Sequence, residues 1–464
     1  MPAAIETPGA SATAARSSQR VALADGPADR QVAFDGRRRI GLETFLADVR
    51  GVAAGLPDAA CAINLCEDRY RFLVAFCAVA LRGQVSLLPS SRTPTGIEEV
   101  LRQYPDSYCV ADTALLPAPP RLHVLPQQLP TPDAAAPLGD MPGVDADAVA
   151  MIGFTSGSTG APKANPKTWA SLRISTAQNV AALRHLWPDG PAADGILPVV
   201  ATVPPQHMYG MELSVLLPLF APVAVHAGRP FFPEDVAGAL READAPALLV
   251  TTPVHLRALV ESGIALPPLA GIVTATAPLP QALAAAAEQR FGCEVRELFG
   301  ATEICIVAQR RTAHDDAWAA YPGVRLHPQP DGTLVEAPHL PAPVALADLV
   351  ELRPGNAFVL CGRQADLLEI AGKRASLGDL TRRLQSVPGV IDGVMLQLDA
   401  CQNTGVRRIA ALAVAPSLDE ATILAALRES IDPVFLPRRL RLVDALPRND
   451  TGKLPRDALL RLLG

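Results

Sequence analysis

The sequence predicts an α/β protein built as a large N-terminal region of two layered α/β subdomains followed by a small α+β domain. Three observations lead there. Apolar runs alternate with amphipathic segments in β-α-β units, the pattern changes after about residue 361, and 464 residues that are 49% hydrophobic and 19% charged suffice for several cores.

The elements follow in order. Residues 1–20 are rich in Ala, Ser and Thr with no continuous apolar stretch, and are expected to be a disordered tail. Neither a secretory apolar core nor a run of about 20 apolar residues is visible, so a cytoplasmic protein with no integral membrane segment is expected. Residues 60–65 read as a buried strand, 70–82 as a helix and 84–88 as the next strand. The proline-rich stretch 115–141 should be an irregular surface connection. A second unit runs from a strand at 247–252 through Pro253 to a helix at 254–262 and a strand at 271–274. Short strands at 332–337 and 358–361 indicate a small β region. Beyond residue 361 come a helix at 377–385, strands at 393–398 and 408–414, a helix at 418–430 and a closing strand at 439–442. That is a compact unit of about 100 residues. The expected division is therefore a tail at 1–20, a large domain at 21–361 and a small lid domain at 362–464.

Charge and cysteine usage exclude several functions. A net charge of −6 and a pI near 5.8 provide no basic field for nucleic acid. The eight cysteines contain no Cys-x-x-Cys pair and mostly sit in apolar runs, which predicts buried free thiols in a reducing compartment and no structural zinc.

The most informative segment is Thr155-Ser156-Gly157-Ser158-Thr159-Gly160-Ala161-Pro162-Lys163. Glycines allow a tight turn and close approach to an anion, and the hydroxyls and N–H groups supply donors for phosphate oxygens. Ala161 and Pro162 separate the last glycine from the lysine, so this is not a Walker loop. Lysine occurs only at Lys163, Lys167, Lys373 and Lys453 among 41 basic residues, so a lysine beside a glycine turn stands out.

Four later segments add to it. Phe299-Gly300-Ala301-Thr302-Glu303 offers a ring, a permissive glycine, a hydroxyl and a carboxylate after an expected strand. Asp348 follows another strand, where it can accept two ribose hydroxyls. Residues 362–374 open the small domain with Arg363 and a glycine turn, and residues 447–453 end in Gly452-Lys453 on a polar turn. Together they describe a nucleotide site shared by two domains. Each residue has a plainer reading: Glu303 as a helix cap, Asp348 as a turn residue, Lys163 and Lys167 as solvated loop cations.

In this order the segments resemble the AMP-forming adenylating superfamily of acyl-CoA synthetases, peptide-synthetase adenylation domains and luciferases, from about residue 32 to the end. The resemblance implies a β-barrel within the large region and a C-terminal domain that rotates between two half-reactions. A small carboxylic acid attacks the α-phosphate of ATP with Mg2+, and a thiol of CoA or phosphopantetheine then displaces AMP. The implied roles are Thr155, Ser156, Gly157, Ser158, Thr159, Gly160 and Lys163 at the β- and γ-phosphates, Glu303 at Mg2+ and Thr302 at the α-phosphate. Phe299 and Gly300 would meet the adenine, Asp348 the ribose with Arg363 in support, and Lys453 would bridge the α-phosphate and the attacking carboxylate. His207, followed by Gly210, matches the substrate-side histidine, although a satisfied structural histidine fits as well.

Departures from the pattern carry information. Where the family has a double glycine, this chain has Ala275 and Thr276, whose side chains should narrow the floor of the acyl pocket and favour a small or aromatic acid. Ala365 replaces the usual hinge acid and Glu369 a usual lysine. The stretches 64–71 and 372–377 are similar to hydroxybenzoate-activating ligases of aryl-polyene and xanthomonadin-type pigment pathways, which implies a hydroxybenzoate such as 3-hydroxybenzoate and an acyl carrier protein partner. Arg438, Arg439 and Arg441 are candidates for meeting that carrier, or form a solvated face. The competing readings are a short- or medium-chain acyl-CoA synthetase and, from another class, a non-catalytic adenylate-binding or scaffold protein.

Overall fold

The computed structural model describes residues 19–129, 141–155, 162–187, 195–363, 367–370, 373–398, 408–449 and 452–463. Two large sheets organise the N-terminal region. One has six strands in the order Lys163–Thr168, Val149–Thr155, Val85–Leu88, Cys61–Asn64, Ser107–Ala111, Leu122–Val124. Its parallel pair Cys61–Asn64 and Val85–Leu88 is joined by the helix Arg69–Leu81, whose first turn is capped by the Asp68 side chain accepting from the Arg71 N–H. This helix is apolar all round and accordingly buried on nearly every face.

The second sheet has eleven strands. Its parallel part runs Val295–Ala301, Leu269–Thr274, Ala247–Thr251, Leu197–Ala201, Val223–His226, Gln31–Asp35; Arg38–Gly41 adds an antiparallel strand beside Gln31–Asp35, and the other, antiparallel end is formed by Cys305–Arg310, Trp318–Ala320, Ala357–Arg363 and Asp348–Arg353. Thr252 accepts from the His255 N–H and Pro253 occupies the first turn, which starts the helix Pro253–Glu261 where the sequence places one. A single hydrophobic cluster spans both sheets. In the region of the expected β-barrel, Arg325–Gln329, Gly332–Glu336 and Val344–Leu346 form an antiparallel sheet packed beside Asp348–Arg353.

The C-terminal part has its own cores. Leu368, Leu380, Leu384, Met395, Ile423 and Leu427 fill one, and Leu396, Leu412, Leu459 and Leu463 another. The helix Leu377–Gln385 packs on Asp392–Gln397, as its amphipathic spacing requires, and also reaches Ala357–Arg363.

Several details correct the sequence reading. Arg20, assigned to the tail, opens a strand Arg20–Ala22 paired with Gly143–Asp145. Within the stretch expected to be irregular, Leu122–Val124 adds a parallel edge strand to Ser107–Ala111, and residues 130–140 lie outside the described residues. A terminal helix Arg456–Leu463 was not anticipated, because eight residues give a weak periodic signal. Its Leu459 and Leu463 are nevertheless buried. Five cysteines are buried as expected, but Cys293 is partly exposed and Cys361 exposed, and Cys401 lies outside the described residues. Cys361 falls near the end of its strand, past the buried Phe358 that anchors it. Among the described residues no helix is long and apolar enough to cross a membrane.

Candidate active site

Three of the segments singled out in the sequence lie at the carboxyl ends of strands, where an open α/β sheet leaves its crevice. Thr155 ends Val149–Thr155, Ala275 and Thr276 follow Leu269–Thr274, and Thr302 and Glu303 follow Val295–Ala301. The Thr155 hydroxyl donates to the Glu303 carboxylate at 3.3 Å. Ser156, Gly157, Ser158, Thr159 and Gly160 lie outside the described residues. The two legs of their loop are stapled by Asn165, whose amide donates to the Gly153 carbonyl at 3.3 Å and the Lys163 carbonyl at 3.1 Å. Lys163 is the cross-strand partner of Thr155 and is exposed.

Thr302 packs against the strand Val149–Thr155 so closely that a Cβ on Gly153 would come within 2.7 Å of its methyl group. Thr302 also lines a small cavity with Ser90, Met151, Gly153, Gln206 and His207. The structure thus brings His207 to Thr302, which are far apart in sequence. Gly210 has a different part: a Cβ there would meet the Pro204 carbonyl oxygen at 2.0 Å, so it is the close approach of two backbones that holds the His207 segment in place.

The turn carrying Thr302 and Glu303 is gripped from beneath by three buried side chains: Glu212 and His339, which the motif reading missed, and Lys167, which is buried in a strand and not a solvated loop cation. Lys167 Nζ donates to the Glu303 carbonyl at 2.5 Å, His339 Nε2 donates to the Ile304 carbonyl at 2.7 Å, and the Ile306 N–H donates to the Glu212 carboxylate at 3.0 Å. Glu212 also accepts from Ser175 at 2.7 Å and Asn179 at 3.0 Å. It sits in a π-turn, Glu212–Leu216, and burial pushes its pKa up to about 7 against the pull of those donors and of Lys167. Burial lowers the His339 pKa, opposed by its bond to the Ile304 carbonyl, with Lys167 lowering it further. Gly300 allows the hairpin to close, since a Cβ would sit 2.3 Å from the Cys305 carbonyl oxygen. A lone acid inside the apolar run 208–220 and a lysine in a lysine-poor chain were the available signals for Glu212 and Lys167.

Phe299 is partly buried, in edge and tilted contact with Phe358 at 5.7 Å and Trp318 at 5.6 Å. Asp348 and Arg363 are direct cross-strand partners at the antiparallel end of the same sheet. The Asp348 carbonyl accepts from Thr333 at 2.6 Å, which fixes the start of its strand.

The lysine turn closes the site from the C-terminal side. Gly452 is buried at φ +77°, and a Cβ there would face Val254 at 3.6 Å and the Thr276 hydroxyl at 3.8 Å. Lys453 itself is exposed. Thr276 is unusual: it holds φ +81°, and its hydroxyl is buried with no hydrogen-bond partner among the described residues. A β-branched residue in that region is strained, and strain of this kind gathers at functional sites. Ala275 is buried beside it.

Residues 11–334 match the family described as AMP-binding enzyme. The chain belongs to that family. It is 32% identical to the 4-coumarate–CoA ligase of Rhodobacter capsulatus over 308 residues, 64% of this chain and 73% of that one. It is 27% identical to the sulfoacetate–CoA ligase of Cupriavidus necator over 390 residues, 75% of this chain and 73% of that one. ATP-bound MatB from Rhodopseudomonas palustris superposes with a TM-score of 0.76 at 19% identity, covering 94% of this chain and 96% of that one, which shows a shared fold. This AMP-binding enzyme is an AMP-forming acid–thiol ligase, and the reading of a non-catalytic scaffold is set aside.

Proposed function

We propose that this AMP-binding enzyme activates a hydroxybenzoate such as 3-hydroxybenzoate as its adenylate and passes the aroyl group to the phosphopantetheine thiol of an acyl carrier protein. The observation that carries the reading is the Thr276 side chain, held at φ +81° with its hydroxyl buried and without a hydrogen-bond partner among the described residues. Thr276 puts a side chain where the resemblance expects none, which shortens the acyl pocket, and its buried, unpartnered hydroxyl suits a polar substituent on a ring. One relative acts, by its name, on an aromatic acid, 4-coumarate.

The residues then divide the work. Two anions must approach, so the first half-reaction needs positioning and charge stabilisation. Thr155 with the following hydroxyl and glycine residues holds the outer phosphates, Thr302 the α-phosphate, and Lys453 neutralises the approach of the carboxylate. Asp348 and Arg363 take the ribose, and Phe299 with Gly300 the adenine side. His207 faces the acid from the cavity it shares with Thr302.

Glu303 and Thr155 present hard oxygen atoms 3.3 Å apart at a partly exposed position, a donor set that fits Mg2+, which takes one or two carboxylates and completes its shell with water and phosphate oxygens. When bound, that ion supplies charge neutralisation at the phosphates.

The test is acid-dependent exchange of labelled pyrophosphate into ATP across hydroxybenzoates, benzoate, cinnamates and fatty acids, followed by transfer to CoA and to a phosphopantetheinylated carrier. Exchange with hydroxybenzoate and faster transfer to the carrier is expected. Exchange with aliphatic acids alone would overturn the substrate assignment, and preference for free CoA would overturn the acceptor.

A further inference from the structure

The turn that presents Lys453 is locked internally and then bolted to the body of its domain. Internally, the Asn449 N–H donates to the Lys453 carbonyl at 2.9 Å, the Gly452 N–H to the Asn449 carbonyl at 2.8 Å, and the Lys453 N–H to the Asn449 side-chain oxygen at 2.9 Å. The bolt is Arg448. One edge of its guanidinium grips both oxygens of Asp392, with Nη2 at 2.8 and 2.9 Å and Nε at 3.2 Å. Its remaining nitrogen, Nη1, donates to the Gly452 carbonyl at 2.8 Å.

Asp392 is itself fixed, at the start of the strand Asp392–Gln397, where its Oδ1 accepts from the Gly393 N–H at 2.8 Å. The two side chains are only 19% and 20% exposed, which separates this pair from the solvent-screened ion pairs that contribute little. A guanidinium is planar and rigid, so one group that holds the strand on one edge and the turn on the other sets the angle between them; a lysine ammonium has no such second edge.

We infer that Arg448, clamped by Asp392, is a positioning residue that sets the reach of Lys453 into the adenylation site. The inference rests on the reading of Lys453 as the group that bridges the acid carboxylate and the α-phosphate. A cation bridging two anions must be placed closely, and a displacement of about 1 Å can cost on the order of 100-fold in rate. Once the adenylate has formed, the carboxylate charge is gone and the bridging cation has less to do. Loss of the bolt therefore strikes the first half-reaction and largely spares the second.

The experiment compares Arg448→Lys, Asp392→Asn and Lys453→Ala in the full chain. Acid-dependent pyrophosphate exchange reports the first half-reaction, and thioester formation from presynthesised aroyl-adenylate reports the second. Lys453→Ala should lower exchange by about 100-fold or more. Arg448→Lys should lower the exchange kcat by about 10- to 100-fold with the KM for ATP nearly unchanged, while transfer from the adenylate stays within about threefold of wild type. Asp392→Asn, which keeps one acceptor oxygen, should fall between wild type and Arg448→Lys. If Lys453→Ala is inactive in exchange while Arg448→Lys matches wild type, the positioning role is wrong. Equal losses in both half-reactions would mean that Arg448 is merely structural and would also overturn it. Wild-type exchange in Lys453→Ala would instead overturn the underlying reading of Lys453.

Discussion

Lys167 Nζ donates to the carbonyl oxygen of Glu303 at 2.5 Å, from a residue that is only 6% exposed. A buried ammonium thus makes a charge-assisted hydrogen bond to the backbone of the residue whose carboxylate accepts from the Thr155 hydroxyl. Such bonds contribute about 1.5–3 kcal/mol. Replacing Lys167 with Met fills similar volume and releases the turn. Pyrophosphate exchange should fall by about 10- to 100-fold, and thermal unfolding should shift downward. Retention of wild-type exchange would show that His339 and Glu212 hold the turn without it.

Gly153 gives a cleaner test of the same site. A Cβ at this position would lie 2.7 Å from the Thr302 methyl, so the Thr302 side chain must leave its position, and as a β-branched residue it has few rotamers to move to. Gly153→Ala is therefore expected to reduce exchange about tenfold through Thr302, with little change in melting temperature. Combining it with Thr302→Ala removes the clashing methyl. The double variant should be no slower than Thr302→Ala alone, and a further loss would place the damage elsewhere.

The parts of this site that were legible in sequence are those written as contiguous motifs. Thr302-Glu303 and Gly452-Lys453 announce themselves because close backbone approach demands particular neighbours, while most of the hydroxyl and glycine segment lies outside the described residues. Regular elements were legible for the same local reason, and the strands and helices around residues 61–88 and 247–274 fall within two residues of expectation. What grips the motifs was not legible. Glu212, His339 and Asn165 are single polar residues with no periodicity to mark them, and their meaning comes from carbonyls and N–H groups up to 94 residues away in the chain. Arg448 and Asp392, 56 residues apart, form a pair only once the C-terminal part of the chain has folded.

Glu212 predicts a pH dependence. Its folded pKa, raised by burial to about 7 from an ordinary 4.5, means that the folded state holds the proton longer than the unfolded state. Stability attributable to this group is therefore greatest at low pH, declines as pH rises from about 4.5 to about 7, and is level above that; the decline is on the order of 3 kcal/mol. Glu212→Gln cannot ionise, so its melting temperature should fall less between pH 5 and pH 8 than that of wild type. Parallel curves for the two proteins would show that Glu212 is already ionised at pH 5.

Thr276 joins strain to specificity, and two substitutions separate them. Thr276→Gly removes a β-branched side chain from φ +81° and relieves about 1–3 kcal/mol, less roughly 0.5–1 kcal/mol for the added freedom of glycine in the unfolded chain. The melting temperature should rise, and the floor of the pocket should open to longer acids. Thr276→Val keeps the shape and the strain and deletes only the hydroxyl, which has no protein partner among the described residues and so costs the fold little. If that hydroxyl meets the ring substituent of the acid, kcat/KM for hydroxybenzoate should drop by about tenfold or more while that for benzoate stays near wild type. An equal change for both acids would show that Thr276 shapes the pocket without reading the substituent, and the hydroxybenzoate assignment would lose its principal support.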